Sequence, residues 1–507
     1  MKQMVKRIVC LMLVAIFCLT ALIACKKNTP ADTTPSDTTP TDTSDTTPTI
    51  NDADTLGEYD FGGAEFKILA RKSALRDFNE KDAEGITAIT NEVFNSMETT
   101  KARFNVTFKV DPVEADWHNN LEDSELYQKY SGMSMVGMTD YSLVTGHFPM
   151  QNIMVINGFC CDMTKLKTVD MEKAWWSKPF YEACNINGRF YVALGDITHS
   201  MYDYLQVIYV NETMAQSYVK DADGNPIDLY ALVESGGWTY EKLVEYTKKV
   251  GYNQDDPKYG LYTHGHATHA MMLSMGVTVS QKNEQGIWEF PATATEKQGR
   301  YDEVVAFIKG GTSNSVYWKY AETDHLQNGN KMFTEGDVLF YAQQLSAVTA
   351  IGEAMASGQT YGILPLPKYD TNQLEYYTTM RDTVTSVTVP RFVVDQEMAG
   401  VVTEALCMYG YQKVKNVYFD TVVKGRYLTD EKLRTMLDTI RSGLTASFDM
   451  AYSPTLEANG AKKPWQAIDH LASSSTTLSF STYYDTYKSL WTTNANNIYK
   501  KLGVEQT

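Results

Sequence analysis

Cysteine is scarce in this sequence. Only seven of the 507 residues are cysteines, and those beyond the first 25 positions are Cys160, Cys161, Cys184 and Cys407. A disulfide framework needs a denser set of sulfurs. A chain of this length with 43% hydrophobic residues can bury a core without one. We therefore expect these thiols to be buried apolar groups, and the sequence leaves their pairing open.

Basic residues are also in the minority. Lys and Arg number 45 against 62 Asp and Glu, so the formal net charge is −17. A protein that binds nucleic acid needs a basic face to release counterions from the phosphates, and this balance argues against such a partner. After the N-terminus, no apolar run is long enough to span a bilayer, which excludes a polytopic membrane protein.

Catalytic motifs are missing as well. There is no His-Glu-x-x-His zinc helix and no glycine-rich phosphate loop. Residues 132–137 miss the Gly-x-Ser-x-Gly spacing of a nucleophile elbow by one residue. With 62 acidic residues, carboxylate pairs of the kind that glycoside hydrolases use are commonplace, so no single pair is informative. No motif supports an enzyme, and a surface glycoside hydrolase stays as an alternative.

The N-terminus has the pattern of an export signal. Lys2, Lys6 and Arg7 precede an apolar run at 8–23, which is shorter than the ~20 residues of a membrane-spanning helix. The run ends in Leu-Ile-Ala-Cys, which resembles the bacterial lipobox. The resemblance implies a signal peptide over 1–24, lipidation of Cys25, and a protein anchored by lipid to the outer face of the cell membrane.

A low-complexity stretch follows the lipobox. Residues 28–49 contain ten Thr, four Pro and four Asp, with no apolar residue larger than alanine. Such a segment cannot bury enough surface to offset its ordering entropy. We expect 25–57 to be a disordered tether and 58–507 to be the folded domain.

The folded domain alternates strand and helix patterns. Strands are predicted at 66–70, 106–110, 142–145, 190–194 and 207–210. Helical spacing of apolar residues runs over 89–102, and a second helix extends to about 250 with Thr239 as its N-cap. Strand–helix alternation predicts an α/β fold rich in parallel strands.

One histidine cluster and many aromatic residues stand out. The cluster His264-Gly-His266-Ala-Thr-His269 is read either as a metal site or as the lining of a cleft, and the lack of a Cys or carboxylate within it favours the cleft. The 33 Tyr and eight Trp provide flat rings with a polar handle, which suit the C–H faces of sugars.

Several short segments resemble, in order, the extracellular solute-binding lipoproteins of bacterial ABC importers, of the maltodextrin-binding, sugar-binding type. The segments are YDFGG at 59–63, GFCCDM at 158–163, NGRFY at 187–191, IYVN at 208–211, WTYE at 238–241, YGL at 259–261, FTEGD at 333–337 and YGILPLP at 361–367. The resemblance implies a two-lobed α/β fold whose lobes close on ligand through hinge strands. Lobe one would hold about 58–167 and 360–400, and lobe two about 168–359 and 401–507.

Ligands of open α/β sheets bind beyond the carboxyl ends of the strands. This rule and the segment order give the candidate ligand-binding residues. They are Arg71, Lys72, His147, Tyr202, Asp203, His264, His266, Tyr341, Gln343, Arg381 and Trp465. Tyr341 is expected to stack a ring on the sugar and Asp203 to accept hydrogen bonds from its hydroxyls. Three further tryptophans are expected to be structural: Trp175, Trp176 and Trp238.

The resemblance implies a non-enzymatic receptor that binds a sugar or oligosaccharide and delivers it to ABC permease subunits. It implies a monomer and no cofactor or metal. Peptides or other polar solutes remain open as ligands. Besides the hydrolase, the alternative is a sensing or adhesion lipoprotein that does not transport.

Overall fold

Strands and helices alternate along the folded chain. The computed structural model describes residues 51–78, 87–118, 121–319, 325–423, 430–474 and 478–504, so the signal sequence, Cys25 and most of the tether lie outside it. Within these ranges the strands are β1 (Ala64–Arg71), β2 (Val106–Val113), β3 (Tyr141–His147), β4 (Gln206–Asn211), β5 (Tyr259–His264), β6 (Gln281–Lys282), β7 (Trp288–Glu289), β8 (Val316–Lys319), β9 (Val338–Gln344), β10 (Tyr361–Leu364) and β11 (Thr385–Thr388). The helices are α1 (Ala88–Phe104), α2 (Glu125–Val136), α3 (Phe148–Ile156), α4 (Lys178–Cys184), α5 (Glu212–Tyr218), α6 (Leu229–Glu234), α7 (Tyr240–Val250), α8 (Gly265–Ser274), α9 (Arg300–Lys309), α10 (His325–Glu335), α11 (Val348–Ala354), α12 (Gln396–Tyr409), α13 (Lys415–Val423), α14 (Asp430–Ser442), α15 (Phe448–Ala451), α16 (Ser453–Leu456), α17 (Ala467–Ser473) and α18 (Phe480–Lys501).

The first sheet has the strand order β11-β3-β1-β2. β1 pairs in parallel with β2 and β3, whereas β11 runs antiparallel to β3 with Thr385 opposite His147. The carboxyl ends of β1 and β3 therefore meet at one edge, where Arg71 and His147 are the last residues of their strands.

The second sheet has the order β10-β4-β9-β5-β8. β5 is parallel to β8 and β9, and β4 is antiparallel to β9. Because β4 runs against β9, its first residue Gln206 pairs with Gln344, the last residue of β9. Gln206, Gln344 and His264 thus lie at the same edge of this sheet.

Most predicted elements are confirmed. The segments 66–70, 106–110, 142–145 and 207–210 lie in β1 to β4, and the Thr239 hydroxyl caps α7 by accepting from the Lys242 amide at 3.4 Å. The strand predicted at 190–194 is wrong. Its carbonyl groups are taken by loops, since Phe190 O accepts from Met163 N and Leu194 O from Ser177 N, and only Ala193 bridges to Val387. The fold class, mixed α/β, is as expected.

The three structural tryptophans are buried as predicted. Trp175 and Trp176 donate their indole N–H groups to the two oxygens of Glu404 in α12, at 2.8 and 2.7 Å. Trp238 donates to Pro365 O at 2.9 Å. All three rings therefore anchor loops to the core.

The last residues assigned to the tether are docked on the folded domain. Asn51 O accepts from Ala174 N at 2.9 Å, and Lys173 Nζ donates to Asn51 Oδ1 and Ala53 O. Arg103 in α1 donates to the Leu56 carbonyl at 2.9 Å. Residues 51–57 are thus hydrogen-bonded to the folded domain and do not form part of a disordered spacer.

Two further expectations can be compared with the structure. Strand β10 pairs antiparallel with β4 in the second sheet, although segment order assigned 360–400 to the first lobe. The remaining lobe boundaries stay predictions. Cys160, Cys161, Cys184 and Cys407 are buried, as expected, and they are free thiols, which the sequence left open. Within the described ranges, no helix is both long and apolar enough to cross a membrane.

Candidate functional site

A crossing segment at 378–384 joins the edges of the two sheets. At one end Gln206 N donates to Thr379 O at 3.0 Å, and Arg381 N donates to Tyr204 O at 3.1 Å. At the other end Phe148 N, which follows β3, donates to Val384 O at 3.1 Å. The crossing therefore places its side chains between the polar strand ends of both sheets.

Arg71 organises the edge of the first sheet. Its Nε donates to Asp116 Oδ1 at 2.5 Å, and its Nη1 donates to Thr385 Oγ1 at 3.1 Å and to the Thr383 carbonyl. Burial favours the protonated carboxyl of Asp116, but the Arg71 guanidinium outweighs it and holds the Asp116 pKa below its ordinary value. Arg71 and Asp116 are thus a fixed ion pair at the strand ends.

His147 lies beside this pair and is almost fully buried, with 1% exposure. Neither ring nitrogen has a hydrogen-bond partner among the described residues. Burial first, and then the Arg71 charge, lowers the pKa of His147 to about 3. The imidazole is therefore neutral near pH 7, with one N–H to donate and one nitrogen to accept.

Trp117 covers His147 from the loop after β2. The two ring centroids are 5.9 Å apart, and the indole is 39% exposed. On this indole lies the ammonium of Lys463, 4.9 Å from the ring centroid. Lys463 comes from the C-terminal segment, so Trp117 connects the first sheet's edge to that segment.

A row of imidazoles follows β5 in the second sheet. The rings of His264 and His266 are 6.2 Å apart, and those of His266 and His269 are 6.1 Å apart. The His269 ring contacts Trp465 at 4.7 Å, and its Nε2 lies against the carboxylate of Asp469 in α17. Among the described residues, no group of three or more His, Cys, Asp or Glu side chains is arranged to hold a metal ion.

Electrostatics links the two edges through the crossing. The positive charges of Arg381 and Lys463 both act to lower the pKa of His147 and that of Asp382. Burial raises the pKa of Asp382, although Arg381, Lys463 and His269 act in the opposite direction. Groups from both sheets and from the C-terminal segment therefore lie within electrostatic range of one another, and we refer to this region as the cleft.

The structure brings together six of the predicted site residues. They are Arg71, His147, His264, His266, Arg381 and Trp465. Arg71, His147 and His264 end their strands, as the strand-end rule predicts, whereas Arg381 and Trp465 were predicted from the segment order. Their contact with ligand stays a prediction.

Tyr341 and Gln343 lie elsewhere. Tyr341 has no exposure and packs among Tyr209, Tyr262 and Phe333, and Gln343 donates to its hydroxyl at 2.8 Å. Gly329 in α10 makes room for the ring, because a Cβ there would come within 2.6 Å of the Tyr341 hydroxyl. The expectation that Tyr341 faces a solvated cleft is wrong, since α10 covers that face of the strand.

Tyr202 and Asp203 are engaged in packing contacts. Tyr202 is fully buried, and its hydroxyl donates to Asp196, which is ion-paired with Arg441. Asp203 accepts from the Tyr418 hydroxyl at 2.7 Å and from Arg76. These partners occupy the carboxylate that was expected to bind ligand hydroxyls.

Lys72 points away from the other candidates. Its side chain is mostly exposed and pairs with Glu114 at 2.7 Å. It is the first residue of the 3-10 helix Lys72–Asp77 that follows β1, so it no longer belongs to the strand that positions Arg71. The expectation for Lys72 rested on its position after β1 alone.

Other cleft residues were not identified from the sequence. They are Asp116, Trp117, Gln206, Asp382, Lys463 and Asp469. Asp116 and Trp117 do follow a predicted strand, so the strand-end rule could have found them. Lys463 and Asp469 come from the C-terminal helices, whose docking position no local pattern reveals.

A separate groove lies outside this cleft. It measures about 620 Å³ and is lined by residues of 55–59, 163–172, Tyr181 and Phe190. None of its polar side chains is buried without a partner among the described residues. We favour the cleft as the functional site, because there the buried polar atoms of His147, Arg381, Thr383 and Trp465 have no partners.

Comparison with known proteins identifies the family. The family model for bacterial extracellular solute-binding proteins matches residues 124–398, just over half of the chain. No sequence among curated proteins matches the chain significantly. A cyclo/maltodextrin-binding protein complexed with maltotetraose is similar in structure, with a TM-score of 0.50, 14% identity, and coverage of 89% of this chain and 98% of that chain. A sugar transporter from Rhizobium etli in an open conformation has a TM-score of 0.51 and 14% identity over 86% of this chain and 99% of that chain. At such identities the two structures show the fold alone. The chain belongs to the bacterial extracellular solute-binding proteins, and it has the two-lobed α/β fold with a cleft between the lobes.

Proposed function

We propose that this protein binds a sugar or oligosaccharide in the cleft and delivers it to the permease subunits of an ABC transporter. The observation that carries the proposal is the set of buried polar groups without partners at the two sheet edges, including both nitrogens of His147 and Nε of Arg381. Leaving such groups unpaired costs stability, roughly 1–3 kcal/mol each. A polyhydroxylated ligand supplies both the donors and the acceptors that they lack.

The charges of the cleft are matched, which favours a ligand without net charge. Each cation has a carboxylate within range, and His147 is neutral. The pairs are Arg71 with Asp116, Arg381 with Asp382, and Lys463 with Glu457. A charged ligand would need an uncompensated opposite charge here.

Trp117 takes the stacking role that is predicted for Tyr341 from the segment order. It is an exposed ring at the cleft edge, and its centroid lies 5.9 Å from that of His147 with the two rings tilted by 54°. An indole offers a flat apolar face to the C–H face of a sugar ring. His147 beneath it would hydrogen-bond the hydroxyls of the same ring.

The test is a binding screen with the purified protein. Thermal shift followed by calorimetry is run with maltose, maltotetraose, glucose, galactose and xylose, and with a peptide mixture as the competing ligand class. We expect at least one neutral sugar to raise the melting temperature, since ligand that binds the native state stabilises it. A shift with peptides alone would overturn the proposal.

The hydrolase alternative has one observation in its favour. The pKa of Asp116 lies below and that of Asp382 above its ordinary value, which is the pattern of a base and an acid sharing one site. Against it, Asp116 Oδ1 already accepts from Arg71 and from Ser73 Oγ at 2.9 Å. We expect no cleavage when maltotetraose is incubated with the protein and followed by chromatography. Cleavage that Asp382→Asn abolishes would establish the enzyme instead.

The place of action follows from the N-terminal sequence. We propose that Cys25 is lipidated, that the monomer is tethered on the outer face of the membrane, and that it works without a cofactor. Cys25→Ser should abolish fatty-acid labelling and release the protein from the membrane fraction. Label that persists in this variant would contradict the anchor, and normal sugar uptake in cells without the protein would favour sensing or adhesion over transport.

A further inference from the structure

Gln206 is an unusual buried amide. It is the first residue of β4, it is 1% exposed, and neither Nε2 nor Oε1 has a hydrogen-bond partner among the described residues. Its backbone is well fixed, because its amide donates to Thr379 O at 3.0 Å and it pairs with Gln344 across the sheet. The side chain is therefore held in place without being satisfied.

The other buried amides show how exceptional this is. Along the described chain, the buried Asn and Gln side chains are Gln151, Asn152, Gln206, Asn211, Gln298, Gln343 and Asn494. Every one except Gln206 makes at least one side-chain hydrogen bond, for example from Gln298 Nε2 to Val279 O at 2.8 Å. The unpaired amide of Gln206 lowers the stability of a fold that bonds its other described buried amides. Departures of this kind are expected at functional sites.

The position of Gln206 agrees with this reading. The crossing segment begins beside Gln206 and ends beside His147, whose two ring nitrogens also have no hydrogen-bond partner among the described residues. Arg381 Nε and Thr383 Oγ1, on the crossing itself, are also without partners. The unpaired atoms thus extend from the edge of the second sheet to that of the first.

We infer that Gln206 is the second lobe's hydrogen-bonding contact for the ligand. The inference rests on the proposed sugar-binding function and adds a residue and a ligand requirement to it. A primary amide presents a donor and an acceptor side by side. The group that it takes is therefore a pair of neighbouring hydroxyls, one donating to Oε1 and one accepting from Nε2.

The experiment compares Gln206→Met with Gln343→Met, two changes of the same type at buried positions. Gln206→Met removes unpaired polar atoms and keeps the unbranched shape, so without ligand it should melt at or above the wild-type temperature. Its affinity for the tightest-binding sugar of the screen, by calorimetry, should fall ten- to a hundredfold. Gln343→Met should melt lower, because Tyr341 Oη and Gln344 N lose their partner, and should keep its affinity.

The possible results separate the two proposals. Wild-type affinity in Gln206→Met, or a fall in its melting temperature equal to that of Gln343→Met, would overturn the assignment of Gln206 alone. Absence of binding by the wild-type protein to every sugar of the screen would overturn the proposed function itself. A higher melting temperature together with weaker binding supports both.

Discussion

Two regions of the molecule bury charged and polar side chains, and they differ in how fully those side chains are bonded. Around Asp196, the Arg441 guanidinium, the Tyr202 hydroxyl and nearby carbonyl groups form one closed network, with Arg441 Nη2 donating to Trp175 O at 3.1 Å. In the cleft, His147 and Gln206 are equally buried but have no side-chain partners. A closed network holds a fold together, whereas an open one requires a ligand. The two regions are thus similar in burial and differ in the degree of hydrogen bonding.

The largest expected effect tests the closed network. Arg441→Met should lower the free energy of unfolding by about 3–5 kcal/mol, because it leaves Asp196 as a buried charge without its partner. Urea denaturation measures this change. As the control, Lys72→Met removes a cation from an exposed pair and should have a much smaller effect, because solvent screens that pair. Equal effects of the two substitutions would mean that the network is not the stabilising element that its geometry indicates.

A second closed network should respond to pH. Burial raises the pKa of Glu404 to about 7, although both indoles of Trp175 and Trp176 donate to it. The folded state therefore binds more protons than the unfolded state between about pH 4.5 and pH 7. The stability that this carboxyl contributes is present below that window and is lost as the pH rises through it, with a change on the order of 1–3 kcal/mol.

Glu404→Gln should flatten the dependence of the melting temperature on pH between 4.5 and 7. The exposed Glu397→Gln on the same helix serves as the matched control and should leave the dependence as it is in the wild type. If Glu404→Gln keeps the full wild-type slope, another group titrates in this window and Glu404 is not responsible for it.

How far the sequence predicts this protein depends on the range of the interactions. The strands at 66–70 and 142–145 were found because their apolar patterns are local, and Arg71 and His147 were found because they end those strands. The strand predicted at 190–194 has the same local pattern, but loop contacts take its carbonyl groups. Patterns within ten residues thus predicted most of the fold and half of the site.

The rest of the site depends on contacts that are distant in sequence. Tyr341 ends up in the core because Gly329 in α10 leaves space for its ring, and nothing near Tyr341 in the sequence reveals that glycine's position. Asp203 was expected to be available, yet it is bonded to Arg76 and Tyr418, 127 and 215 residues away. Polar residues near strand ends can be selected from sequence, but whether they are already bonded is a tertiary property.

The open region should lose binding and not stability. Trp117→Ala should weaken sugar affinity about tenfold, since it removes stacking area worth about 1–2 kcal/mol at the usual coefficient for buried apolar surface. Its melting temperature without ligand should change little, because the ring is 39% exposed. Tyr341→Ala should do the reverse, with a loss of about 3–5 kcal/mol in stability and an unchanged affinity. Calorimetry measures the sugar affinity of both variants, and urea denaturation measures their free energies of unfolding. Weaker binding in Tyr341→Ala alone would mean that the binding site lies at Tyr341, as predicted from the sequence.

The smallest effect concerns the contact that now covers the stacking ring. Lys463 Nζ lies 4.9 Å from the Trp117 ring centroid and 3.8 Å from Glu457 Oε2. A cation at a partly exposed ring contributes about 0.5–1 kcal/mol. A sugar that stacks on the same face must displace the ammonium, so Lys463→Met should tighten binding about two- to fivefold. Lys463→Arg, which keeps the cation over the ring, is the control and should bind like the wild type. Calorimetry on the two variants shows whether the Lys463 ammonium competes with the sugar for the Trp117 ring or helps to bind it. Weaker binding in Lys463→Met would show that the ammonium contacts the ligand. The sugar would then approach Trp117 from its other face.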